Sequence, residues 1–241
     1  MDWLEVIDKA GLPVQYRYSN RAKRLSLRVV PGGIVELIIP QPSPPAHVIA
    51  NFLVEYQNWI HKHAKACQNN PLAWPESFTH GQTVPLIGER VPLTVCFSDK
   101  KTEKVSFVAG RGLVVDCALV QCSELSVRQA VIEWYQLAAK RQVEKALRRY
   151  VPQVGHQPSR LTIKASRQLW GSLNHLGEMT INWLLLLAPS AVLMYVVLHE
   201  LCHFYERRHN QRFWKKVATY DPLYMESERW LKNNGILIRK P

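Results

Sequence analysis

The stretch Pro189-Ser190-Ala191-Val192-Leu193-Met194-Tyr195-Val196-Val197-Leu198-His199-Glu200-Leu201-Cys202-His203 carries an apolar run into three ionisable residues. Pro189 has the fixed φ that suits a helix start, and the residues after it are apolar on every side. A helix of that kind is buried all round. His199 and His203 stand four residues apart, so both imidazoles project from one face. Glu200 follows His199 and lies about 100° round the axis. Burying such groups without partners costs about 2–7 kcal/mol each. A metal ion satisfies all three together.

Two neutral imidazoles suit Zn²⁺, which lowers the pKa of its water towards about 7. A carboxylate beside that water can take its proton, the role open to Glu200. Catalytic zinc usually has three protein ligands. His209, six residues beyond His203, is favoured as the third by type and proximity; Glu206, Glu226 and Glu228 are its rivals. His61 and His63 are two apart and so point to different helix faces. With His47, His80, His156 and His175 they read as surface or packing residues. Cys202 lies between the two ligand positions, points elsewhere, and reads as a small packing residue.

The flanking sequence supplies the rest of the second half. Ser126 can cap a long helix through Tyr150, ended by Pro152, with Val127, Val131, Trp134, Leu137 and Ala138 on one face. Its outer face carries Lys140, Arg141, Lys145, Arg148 and Arg149. Strands are expected at Arg160 to Lys164 and at Glu178 to Leu185, either side of Trp170-Gly171-Ser172. The Pro189 helix continues past His203, and a last helix runs from about Pro222 to Asn233, stopped at Gly235.

The first half is mostly β. Arg24 to Val29 alternates polar and apolar, Pro31-Gly32-Gly33 makes a turn, and Ile34 to Ile39 returns, giving a hairpin with one basic, wet face. Pro40, Pro42, Pro44 and Pro45 form a stiff connector, and an amphipathic helix covers 44–66. Short strands are expected between Phe78 and Val115, separated by Gly81, Gly88 and Gly110-Arg111-Gly112. The pattern therefore predicts an α+β fold, β-rich with one amphipathic helix over 1–122 and α+β over 123–241.

Composition excludes several classes. With 47 % apolar and 21 % charged residues the chain is neither disordered nor collagen-like. Five cysteines without a Cys-x-x-Cys pair give no disulfide framework, and reduced thiols in a cytoplasmic protein are expected. Ile181 to Leu198 is apolar, but Asn182, Pro189 and Ser190 interrupt it, so no membrane association is expected. The net charge of +12 favours an anionic partner, nucleic acid or nucleotide, on the basic surface.

Lys164, Arg167, Trp170-Gly171-Ser172, Gly177, Ile181-Asn182, Leu187-Ala188-Pro189, Tyr195 to His203, His209, Phe213-Trp214 and Pro222 together resemble the YgjP-type metallopeptidase family. That family is allied to the SprT-like and Wss-like zinc proteases. Arg21-Ala22-Lys23-Arg24-Leu25, Trp59-Ile60, Gly81 and Leu86-Ile87-Gly88 fit its weaker first half. The resemblance implies a zincin-like second half built round the buried H-E-x-x-H helix. It also implies zinc ligands His199, His203 and His209, Glu200 as general base, and a protein or peptide substrate. Leu169 and Leu173 stand where the family usually has Arg and Cys, a departure that bears on substrate handling and leaves the metal set intact. In a zincin-like layout the strand from Glu178 to Leu185 is an edge to which an extended peptide can add.

Two other readings use the charge. Arg207, Arg208, Arg212, Lys215 and Lys216 stand against Glu206 alone in residues 201–216. Such a surround suits a nucleotide's phosphates, and the resemblance carries a metal-dependent nucleoside triphosphate pyrophosphatase as an alternative. A DNA-associated protease or binding module would use the Arg24/Arg28 hairpin and the Lys140 to Arg149 helix face.

Overall fold

A computed structural model describes residues 2–30, 34–68, 72–98, 104–118, 122–166 and 168–238. Among them the fold is mixed α+β, with seven α-helices and three small sheets. Contacts divide the chain into two compact units, Met1–Asn70 and Pro71–Pro241.

The first unit opens with α1 (Trp3–Lys9), whose first turn is capped by the Asp2 carboxylate accepting from the Leu4 amide. Strands β1 (Val14–Ser19), β2 (Ser26–Val30) and β3 (Ile34–Pro40) follow, in the order β1-β3-β2. β3 runs parallel to β1 and antiparallel to β2. The expected hairpin is present as β2 and β3; its turn, Pro31 to Gly33, lies outside the described residues. Val35, Leu37 and Ile39 alternate into the core with Ile49, Leu53 and Ile60. On the opposite face Glu36 accepts from Arg17 Nε at 3.0 Å and Arg28 Nε at 2.6 Å. The wet face is thus less basic than its arginines alone imply. The helix expected over 44–66 is two, α2 (Ala46–Glu55) and α3 (Gln57–Gln68), broken at Tyr56.

In the second unit β4 (Thr83–Leu86), β5 (Glu89–Ser98), β6 (Lys104–Val108) and β7 (Gly112–Ala118) form a sheet in the order β4-β5-β7-β6. Val84, Leu93, Leu113 and Val115 from this sheet share one core with the long helix α4 (Glu124–Val154). The sequence pattern places a division at 122/123. Contacts instead divide the chain at Asn70/Pro71, because strands 83–118 and α4 bury their apolar faces together.

The cap of α4 is Ser123, with Ser126 completing a reciprocal capping box, so the helix starts ahead of the expected cap at Ser126. It runs through Pro152 to a left-handed Gly155. One missing amide near the end is outweighed by a buried row at helical spacing: Val127, Val131, Tyr135, Ala139, Val143, Ala146, Tyr150 and Val154.

A third sheet joins β8 (Arg160–Lys164), β9 (Gly171–Leu173) and β10 (Glu178–Asn182) in the order β8-β10-β9. The strand expected from Glu178 to Leu185 therefore stops at Asn182 and is central. The edge is β9. Asn182 turns the chain by accepting from the Leu184 amide at 3.1 Å, which starts a 3-10 helix over Trp183–Leu187 whose five side chains are all buried. Then come α5 (Ser190–Cys202), α6 (Gln211–Tyr220) and α7 (Tyr224–Asn234), closed by a 3-10 turn at Gly235–Ile238. α5 ends at Cys202, where it was expected to continue past His203. Helix α6 has no counterpart in the sequence pattern, and α7 starts two residues after the expected Pro222.

Candidate active site

The site forms where α5 ends. Nine of its residues are buried, among them Val196, Val197, Leu198 and Leu201, so its last turn is fixed in the core. His199, Glu200 and His203 project from that turn, His203 being the C-cap. The chain then tightens, with the Phe204 amide on Leu201 O at 3.1 Å and the Tyr205 amide on Cys202 O at 3.0 Å. Asn210 starts α6 by accepting from the Arg212 and Phe213 amides at 3.0 and 3.1 Å. His209 sits one residue before that cap, and the return path carries its ring to the other two.

The structure brings His199, His203 and His209 together: one ring nitrogen from each lies within 4.8 Å of the others. His199 Nε2 and His209 Nε2 are 2.8 Å apart. A tetrahedral ion with metal–nitrogen bonds of about 2.0–2.1 Å sets such pairs about 3.3 Å apart, a value bracketed by these spacings. The donor set fits a divalent transition metal in other ways. His203 Nδ1 donates to Glu206 O at 3.0 Å, which leaves its Nε2 lone pair free. The Tyr195 hydroxyl lies 3.4 Å from His199 Nδ1. Burial, reinforced by the neighbouring histidines, pushes His199 down to about 3, and burial also lowers His203. Both imidazoles are neutral at neutral pH, the form that binds metal. Phe213, fully buried, packs edge-on to His199 and stacked on His203, with ring centres 4.8 and 4.6 Å away. Trp214 stacks on His209.

Glu200 is buried, 6 % exposed. Burial pushes its carboxyl up to about 8, opposed by the Leu173 amide that donates to it. A cation held by the histidines acts in the same sense as that amide, favouring the carboxylate. The carboxylate rests on β9: a Cβ built on Gly171 would stand 2.6 Å from Glu200 Oε1 and 2.8 Å from its Cγ. Arg207 reaches back from the turn after α5, donating to Leu173 O at 2.9 Å and Asn174 O at 3.1 Å. A cleft of about 480 Å³ opens over these groups, walled by β9, Leu169, Trp170, Tyr195, Arg207 and the three histidines.

The sequence reading gives Gly171, the Leu173 amide and Tyr195 no role in the site, and places Arg207 only in a basic surround. The signal available was a glycine inside a strand pattern, which marks a close approach of another group to the backbone. Among the described residues Glu206, Glu226 and Glu228 fall outside the ligand group. The Glu206 carboxylate instead accepts from the Arg208 amide at 3.1 Å. Three other histidines have partners of their own: His63 on Trp59 O at 2.8 Å, His80 under the Val95 amide at 3.2 Å, His156 on the Phe204 ring. Burial pushes Cys202 up to about 12, which makes it an inert packing thiol.

The model of the YgjP-like, metallopeptidase domain matches residues 23–234. The chain belongs to the YgjP-like metallopeptidases. Membership makes it a peptidase-type hydrolase that uses a divalent metal, and protein or peptide is the substrate class that the family suggests. No curated protein matches the chain. Among solved structures, the crystal structure of the metallopeptidase zymogen of Pyrococcus abyssi abylysin is similar over 39 % of this chain and 92 % of its own. The identity is 20 % and the TM-score 0.32, too low to define a shared fold. No helix among the described residues of this YgjP-like chain is long and apolar enough to cross a membrane.

Proposed function

We propose that this metallopeptidase is zinc-dependent, with His199, His203 and His209 as ligands and Glu200 as general base, in a zincin-like second half. The observation that carries this reading is the convergence of three imidazoles beside one buried carboxylate at the end of α5. When bound, zinc supplies Lewis acidity towards a carbonyl and acidifies water. Glu200, held by the Leu173 amide and seated on Gly171, takes the proton of the attacking water and passes it to the leaving amine. β9 is the sheet edge that borders the cleft, so an extended peptide adds there by main-chain hydrogen bonds. The Tyr195 hydroxyl, beside His199, orients that ring. Four free thiols among the described residues fit a reducing, cytoplasmic compartment.

Cleavage of casein tests this. The protein loaded with zinc should cleave it, a chelator should stop cleavage, and Glu200→Gln should lower the rate by at least about a hundredfold while zinc stays bound. Release of pyrophosphate from a nucleoside triphosphate without casein cleavage would replace this reading with the nucleotide one.

A further inference from the structure

Away from the histidines, α4 carries a second feature that the peptidase reading leaves unused. Arg141, Lys145, Arg148 and Arg149 fall at i, i+4, i+7 and i+8, one stripe about 12 Å long. All four are exposed, and none forms an ion pair among the described residues. Glu144, the nearest acidic residue on the helix, borders the stripe, three residues from Arg141 and four from Arg148, yet it forms no ion pair with either among the described residues. From Lys145 to Gly177 the sequence contains no acidic residue at all.

The stripe borders a cleft of about 180 Å³ between α4 and the start of α5. Gln142, Lys145 and Arg149 form one wall, Ser190, Leu193 and Met194 the other, with no acid in the lining. Four like charges on one helix face repel one another, and their one favourable contact among the described residues, the Arg149 guanidinium over the Tyr150 ring at 5.3 Å, leaves the charge in place. A row of phosphates relieves that repulsion and releases counterions. The opposite face of α4, from Val127 to Val154, is locked in the core, and the large apolar side chains that α4 exposes, Leu125 and Leu137, are about three turns apart and make no continuous face for a bilayer. Charge without an insertable face favours nucleic acid over a membrane surface.

We propose that the Arg141 to Arg149 stripe and its cleft dock the phosphate backbone of duplex nucleic acid. The cleft meets α5 at Ser190, nine residues or about 14 Å along the axis from His199. Docking there leaves the metal cluster and β9 free, and it stands or falls independently of the zinc assignment.

The test is fluorescence anisotropy of a labelled 20-base-pair DNA of mixed sequence, titrated with the full chain between 50 and 200 mM KCl. Four phosphate contacts predict a log–log salt slope of about −3.6, a loss of roughly a hundredfold in affinity over that range. Arg141→Ala, Lys145→Ala, Arg148→Ala and Arg149→Ala combined should flatten the slope by about 3.6 units and weaken binding at 50 mM by more than about tenfold. The milder pair Lys145→Ala with Arg149→Ala should remove about half of the slope, and serves if the fourfold variant melts differently from the parent. Arg21→Ala, Lys23→Ala and Arg24→Ala combined should change nothing, since those residues are not part of the stripe. Casein cleavage should be unchanged in every stripe variant. Absence of DNA binding, binding untouched by the stripe variants, binding lost in the Arg21/Lys23/Arg24 variant, or capture by phosphatidylserine vesicles without DNA binding would each overturn the proposal.

Discussion

Gly171 has ordinary strand geometry, so its value is space: any side chain there would meet the Glu200 carboxylate. Gly171→Ala should leave the three histidines able to bind metal but displace Glu200 from the Leu173 amide. Casein cleavage at saturating zinc should fall by at least about tenfold, the cost of a misplaced catalytic group, with metal content unchanged. Loss of metal together with activity would mean that the substitution disturbs the whole site. His209 was picked out by residue type and nearness in the chain. The pairing of His199 with His203, and Glu200 beside them, were legible in the sequence because that geometry is local: a four-residue step is one helix face. Gly171, the Leu173 amide and Arg207 were not, because their roles exist only once β9 lies across α5, about thirty positions away in the chain. Asn182 is the intermediate case. It looked like a flaw in an apolar run. The structure buries it, with its side-chain amide on Ser166 O and Leu169 O at 2.9 and 3.2 Å and its oxygen starting the 3-10 turn.

At the scale of elements, local signals succeeded where burial repeats with a single period. α4 keeps a helical row over its full length, and β2 with β3 keeps a period of two. The run after Asn182 has no period, because Trp183 to Leu187 are all buried, and a strand could not be told from a 3-10 helix. α6 is short, but Asn210 ahead of Phe213 and Val217 was a usable start signal. The β1-β3-β2 sheet carries a pH prediction. Burial of Glu36 alone would raise its pKa; hydrogen bonds and charge from Arg28 and Arg17 outweigh that and hold it below the usual carboxylate value. A depressed folded pKa gives stability that is present above about pH 4.5 and lost as pH falls through the folded value. Between pH 5 and 3, parent protein should lose stability that Glu36→Gln does not, by no more than about 1 kcal/mol because both arginines are half exposed. Thermal melts of the two proteins across that range check it; equal acid sensitivity would remove Glu36 from the account.

At the scale of the whole molecule, the pattern along the chain foretold a mixed fold, and composition its basic charge, but neither showed where the units divide. The β-rich sequence through residue 118 suggested a boundary after it, whereas burial joins β4 to β7 with α4 and α5. Periodicity marks elements and says little about which of them share a core. The basic charge likewise resolves only in three dimensions: Glu36 tempers Arg17 and Arg28, while the α4 stripe has no such partner among the described residues. The metal centre is the claim on which the catalytic account depends. Elemental mass spectrometry on protein purified without a metal-affinity tag, beside a His203→Ala variant, tests it most directly. The account predicts about one zinc per chain in the parent and none in the variant. A parent protein that holds no metal, even after incubation with zinc, would contradict it.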